Sequence, residues 1–404
     1  MRRNGSATLL GAFVVVAFAM FMFSASAFGQ TNDVLYSFTG GSDGSGPSRS
    51  LVADAAGNLY SSTAFGGISS SFGGNGVVYE LSPAGGGLWT ESVLYEFAGG
   101  SDGYWSSSGV ILDAAGNLYG TTEYGGTGLQ GTVYELSPAS GGGWTHTVLH
   151  NFGGGLTDGE IPENIILDAA GNLYGTTVGG GPNNRGTAFE LSPAAGGGWT
   201  ETVIQFFSDT PSGPLVMDHY GNLYGTTQGG GTASQGSVYE LRRGTRGWAL
   251  RTLYSFLGGT DGSNPQTGVS LGANGHLYGI TMQGGRAGTG TFFELIPSTG
   301  GNWTETRWYS FGSRTSDPTF PTSPLTAQGA KSFWGASAAG GTSGCGGIFN
   351  LTLGNSGWQE RNVYNSDCIG AGPLSVGFVD SAGDLFGAGA GGTFGAGDIF
   401  EFIK

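Results

Sequence analysis

Charge is scarce in this chain, and positive charge is scarcest. Of 404 residues only 14 are Lys or Arg, against 29 Asp and Glu, for a net charge of −15. So acidic a surface repels a polyanion, which excludes nucleic acid as a partner. The one basic cluster, Arg242, Arg243, Arg246 and Arg251, lies in and just after a turn and reads as a solvated loop. Histidine is rare too: His146, His150, His219 and His276 show no zinc-ligand spacing. There is no Gly-x-Ser-x-Gly elbow, no phosphate-binding loop and no Asp-x-Asp-x-Asp-Gly calcium loop. Beyond the N-terminal segment no long stretch has a helical hydrophobic period, which excludes a helical fold.

The N-terminal segment, residues 1–29, reads as a signal peptide. Arg2 and Arg3 precede an apolar run from Leu9 to Phe23, and Ala25-Ser26-Ala27 or Ala27-Phe28-Gly29 supplies small residues for cleavage. The alternative is an uncleaved anchor, though the run is short for a membrane span. No second apolar run lies near Lys404, so export without an anchor is expected. In an exported chain the two cysteines, Cys345 and Cys368, are expected to pair. Closing a loop of that size stabilises the fold by about 3 kcal/mol.

What the sequence has in abundance is glycine, 84 residues, and it recurs in register. Asp113-Ala-Ala-Gly-Asn-Leu-Tyr-Gly-Thr-Thr122 returns at Asp168, Asp54 and Asp218, and in weaker form from Gly272, Gln328 and Asp380. The motif aromatics Tyr60, Tyr119, Tyr174, Tyr224, Tyr278, Trp334 and Phe386 follow one another at 50 to 59 residues. That period fits one four-stranded propeller blade. Asp-Ala-Ala-Gly is a tight turn with Asp bonded back to its amides, so a strand enters and a strand leaves. A third strand follows, as in Gly131-Thr-Val-Tyr-Glu-Leu136, and a fourth runs from Trp144 to Phe152. Glycines inside the second strand, Gly120 and its copies, mark close approach; the expected partner is the neighbouring blade.

The ends of the chain are complementary. Val34–Phe38 is a fourth strand with no first three before it, and Gly397–Phe402 is a third strand with no fourth after it. The expectation is an all-β, seven-bladed β-propeller over residues 30–404. Its last blade is built from both termini, which removes the exposed ends of a linear array.

Two loop types are short and uniform and share one face. The opposite face carries the variable loops, where function concentrates. Its blade-to-blade loops hold Asp43, Asp102, Asp158, Asp209, Asp261, Asp317 and Asp367. Seven carboxylates could bind calcium or a hydroxyl-rich ligand. A residue present in every blade more readily serves the blade, so turn capping is the favoured role, and no cofactor is required. The third-strand glutamates (Glu80, Glu135, Glu190, Glu240, Glu294, Glu401) and the fourth-strand tryptophans from Trp89 to Trp358 are read as structural on the same argument. Trp105 breaks the pattern. With Tyr104 beside it, it is the aromatic candidate for ligand contact.

The repeat, with its following Gly-Thr-Val-Tyr-Glu-Leu-Ser-Pro, resembles that of the GloVer-containing (Gloeobacter/Verrucomicrobia) exported bacterial proteins. The resemblance covers the mature chain and is weakest in the sixth repeat, where Lys331 and Trp334 replace Gly and Tyr. It implies no catalytic residue. The expected protein is a secreted, monomeric propeller scaffold, non-catalytic, that binds a glycan or a protein. The competing class is a glycoside hydrolase or polysaccharide lyase. An unrepeated carboxylate pair in a central pocket would favour the enzyme.

Overall fold

The computed structural model describes residues 31–67, 73–366, 368 and 373–403. The signal-peptide assignment and Asp367 lie outside the described residues. Seven antiparallel sheets form a seven-bladed propeller. In blade 2 the strands Val110–Leu112, Leu118–Thr122, Thr132–Pro138 and Trp144–Asn151 are hydrogen-bonded in chain order from the centre outward. Blades 3, 4 and 5 repeat this arrangement. In blades 1 and 6 the first strand is broken into two pieces, Ser45–Pro47 with Val52–Ala53 and Pro318–Pro321 with Thr326–Ala327. The described helix content is two single 3-10 turns, Gly100–Asp102 and Gly259–Asp261.

The ring closes as its ends require. Thr31–Ser37 pairs antiparallel with Asp398–Ile403, and that sheet continues through Leu385–Gly389 to Pro373–Val379. Phe38 then buries completely against blade 1, with its ring 5.0 Å from Tyr79.

The turn motif is satisfied in full. Asp113 Oδ1 accepts from the amides of Ala115 and Asn117 at 2.8 Å, and its Oδ2 accepts from Asn117 Nδ2 at 2.9 Å. Gly116 takes φ 89°, a left-handed conformation that glycine adopts without cost. Asp54, Asp168 and Asp218 do the same in their blades.

The second-strand glycine works differently from expectation. Its close neighbour belongs to its own blade, not to the next. Gly175 pairs with Phe189 on the adjoining strand, and that ring lies across the glycine. A Cβ there would sit 2.6 Å from Phe189 Cζ and 2.9 Å from Ile165. Laid flat over its own sheet, the ring then meets Phe152, the residue that ends the preceding blade, edge-on at 5.1 Å. The same contact recurs at Phe97–Tyr134, Phe207–Tyr239, Phe256–Phe293 and Phe311–Phe349. Between blades 6 and 7, Ser366 stands where the other outer strands end in phenylalanine. There the connecting segment is pinned covalently instead. Cys345 and Cys368 form a disulfide with Cα atoms 5.4 Å apart.

Gly175→Ala should therefore force the Phe189 ring off its seat and lower stability by about 1–3 kcal/mol, as overpacking does. Chemical denaturation checks this; an unchanged midpoint would contradict the packing described.

Candidate functional site

Repeated polar residues serve the junctions between blades. Asp261 Oδ1 accepts from the Tyr254 hydroxyl and Oδ2 from the Leu257 amide, both at 2.7 Å. Asp102 does the same with Tyr95 and Ala98, again at 2.7 Å. Asp43 binds Tyr36 and Thr39, and Asp317 binds Tyr309 and Arg314. Asp158 takes the amides of Gly153 and Gly159 at 2.6 Å. Asp209 departs from the pattern and meets the neighbouring Ser208 hydroxyl at 3.2 Å. The six described carboxylates thus bond at separate junctions, and no three of them lie within metal-ligand reach of one another. Glu294 bonds inside its own blade with Tyr278, His276 and Trp308 at 2.6 to 2.8 Å, whereas Glu190 also takes Arg243 of the next blade at 3.4 Å.

Unrepeated residues gather elsewhere. Tyr104 stacks on Tyr124 at 5.6 Å, and Trp105 meets Phe65 and Tyr124 edge-on at 5.2 Å. The four rings form a half-exposed cluster between blades 1 and 2. Trp105 also hands its carbonyl to the Glu123 amide at 3.0 Å, which ties the cluster to the central channel.

The channel holds a group that the reading of the sequence missed. A cavity of about 330 Å³ is walled by the first strands and the segments beside them from all seven blades, including Arg49 and Glu163. A second pocket, of about 360 Å³, adjoins it and adds Glu123, Ser107 and Ile161. Between the start of the first strand and its buried core, only blade 3 carries acids, Glu160 and Glu163, and only blade 1 a base, Arg49. Glu123 likewise stands where the other blades carry Ala, Val, Gln or Met. Ser107 donates to Glu123, and Arg49 reaches across to the Thr322 carbonyl at 3.4 Å. Glu163 Oε2 is buried without a hydrogen-bond partner. The signal that could have found this group is the one that singled out Trp105: absence from the other repeats.

The Gloeobacter/Verrucomicrobia repeat matches residues 19–216 and again 210–404. The chain belongs to this repeat family. No curated protein matches it. Among solved structures, a candidate 6-phosphogluconolactonase from Bacteroides uniformis is similar at a TM-score of 0.52 and 12% identity, over 81% of this chain and 88% of its own. A gluconolactonase from Xanthomonas campestris has a TM-score of 0.42 at 13% identity, covering 83% and 90%. A candidate glucose dehydrogenase from Thermus thermophilus has 0.43 at 14%, covering 93% and 100%. At such identities the likeness shows the fold alone.

Burial pushes the Glu163 carboxyl up to about 7; the nearby Glu123 adds to this, while Arg49 and a Gly213 amide bond oppose it. Burial also pushes Glu91, Glu305 and Glu360 up to about 7, reinforced by Asp43, Asp261 and Asp317 across the blade junctions. For Asp54, Asp113 and Asp168 burial acts upward too, but the turn's hydrogen bonds outweigh it and hold them below the usual range.

A carboxyl raised above its ordinary 4.5 costs nothing while both folded and unfolded chains hold the proton. The cost grows as pH rises and is complete once the folded group ionises, above about 7. The lowered aspartates contribute stability that is lost as pH falls below about 4. The melting temperature should therefore peak near pH 4–5 and fall toward pH 8. Scanning fluorimetry from pH 3 to 9 checks this, and a flat profile from pH 5 to 8 would contradict it. His150, Asp158 and Glu201 are the one described group whose donor atoms lie within 4.8 Å of one another. A chelator should leave the melting temperature unchanged; a fall of many degrees would make that group a metal centre.

Proposed function

We propose that this chain is an exported binding propeller that holds a glycan on its variable-loop face, beside the mouth of the central channel. The observation that carries the reading is the half-exposed cluster of Phe65, Tyr104, Trp105 and Tyr124, present at one junction and adjoining a charged pocket. Aromatic faces cover the apolar faces of sugar rings, while charged and polar groups take the hydroxyls. Export belongs to the same reading. Residues 1–29 have the pattern of a signal peptide, and the Cys345–Cys368 bond fits an oxidising compartment outside the cytoplasm or in the periplasm.

A second reading, a polysaccharide hydrolase or lyase, is favoured by one specific observation. Glu163 and Glu123 form an unrepeated carboxylate pair in the channel, and Glu163 at about 7 keeps a proton near neutral pH. A proton donor works best with its pKa near the working pH. In hydrolysis Glu163 would protonate the leaving oxygen as the glycosidic bond breaks, and Glu123 would take a proton from the water that adds to the sugar carbon.

A glycan array combined with a polysaccharide cleavage screen on the mature protein separates the two. Trp105→Ala should weaken glycan binding at least tenfold, about 1.4 kcal/mol, with little loss of stability. Unchanged binding by that variant would contradict the reading. If products form, Glu163→Gln should abolish them and keep binding. The same variant should melt higher than the native chain at pH 8 but not at pH 5, because it never carries the buried charge.

A further inference from the structure

One backbone position on the variable-loop face is left-handed in blade after blade. Gly46, Trp105, Ile161, Asn264 and Phe320 occupy it, with φ between 53° and 64°. Each donates its N–H to a carbonyl of the preceding blade: Ala396, Asn75, Gln130, Gln235 and Thr289, at 2.8 to 3.0 Å. The next residue is proline in four of the five, and its ring lies against a glycine of that preceding blade, as Pro162 does on Gly131. The conformation thus serves these five junctions, although Thr210 at the same position of blade 4 does not adopt it. It asks for no side chain, because Gly46 takes it without one.

Glycine would be the free choice. A β-branched or bulky aromatic residue is strongly disfavoured at positive φ, and a following proline restricts the backbone further. At another left-handed position of the repeat, Gly125 with Gly180, Gly230, Gly284 and Gly340, glycine is always kept. Trp, Ile and Phe therefore stand here against their own backbone preference, whereas Asn264 is of the non-glycine type that tolerates the conformation best. Side chains retained in that way are retained for what they touch.

What they touch differs by sector. Trp105 meets the aromatic cluster. Ile161 lines the pocket that holds Glu123 and Glu163. Asn264 lines a polar groove of about 360 Å³ with Gln228, Gln283, Arg185 and Asp209. Thr210, at the same position in blade 4, lines that groove too. Asn264 Oδ1 itself is buried without a hydrogen-bond partner, an acceptor that a ligand hydroxyl would satisfy once the amide turns toward the groove.

The geometry points to this position as the one through which the variable-loop face reads its ligand, with the Asn264 groove a subsite for the hydroxyls of a neutral sugar. The inference rests on the glycan-binding reading above. It differs from that reading in assigning recognition to one residue per blade, beyond the Trp105 cluster.

The test uses the full mature chain, a panel of neutral cello-, xylo-, manno- and malto-oligosaccharides, and calorimetry on the tightest binder. Asn264→Gly should weaken binding tenfold or more while leaving the melting temperature unchanged or about 1–2 °C higher, because glycine accepts the conformation freely. Ile161→Gly should alter the panel profile with the same thermal behaviour. If the native chain binds but both variants bind as it does, or if both lose stability, the position serves packing and the inference is overturned alone. If the native chain binds nothing in the panel, the glycan reading itself is overturned and this inference with it.

Discussion

The structure depends on one aromatic contact made at six of the seven junctions: a phenylalanine at the end of the outer strand meets, edge-on or tilted, an aromatic from the third strand of the next blade. The third-strand ring can lie there only because a small residue, usually glycine, stands opposite it in its own sheet. Phe152 on Phe189 over Gly175 is the pattern. In the first blade the opposite residue is Ser61, under Tyr79. Edge-to-face pairs stabilise by about 0.5–1.5 kcal/mol each beyond the area they bury. Repeated around a closed ring, they make each blade depend on both neighbours. Where Ser366 interrupts the series, the Cys345–Cys368 bond takes over the pinning of the chain.

Much of this was legible because repetition amplifies weak local signals. Asp113 alone would be an ordinary turn residue; its return at a near-constant spacing marks a blade. The incomplete strands at Val34–Phe38 and Gly397–Phe402 told how the ring closes, since each lacks what the other has. The role of Gly175 was not legible. Its neighbour is set by cross-strand register, and nothing in the spacing of the repeat says that the ring of Phe189 folds back over its own sheet. The channel group was hidden for a different reason. Arg49, Glu123 and Glu163 come from blades 1, 2 and 3 and meet only because the ring brings their inner edges together.

Symmetry also separates the repeated polar residues from the unrepeated ones. The junction aspartates and the third-strand glutamates recur, and their oxygens are taken up by tyrosine hydroxyls, loop amides and neighbouring side chains. Trp105, Glu163 and Asn264 differ from their counterparts: Trp105 is half-buried in the aromatic cluster, and Glu163 and Asn264 line pockets. A scaffold that holds its backbone so uniformly can vary single side chains at little risk to the fold. The uniform Asp-Ala-Ala-Gly turns on the other face have no comparable freedom.

Hydrogen–deuterium exchange with and without the tightest-binding oligosaccharide tests this division most directly. The account predicts added protection confined to the variable-loop face, in the segments around Tyr104 to Glu123, Ile161 to Asn164 and Ser263 to Gln266. Protection centred instead on the turns at Asp54, Asp113, Asp168 and Asp218 would place the ligand on the opposite face and contradict it.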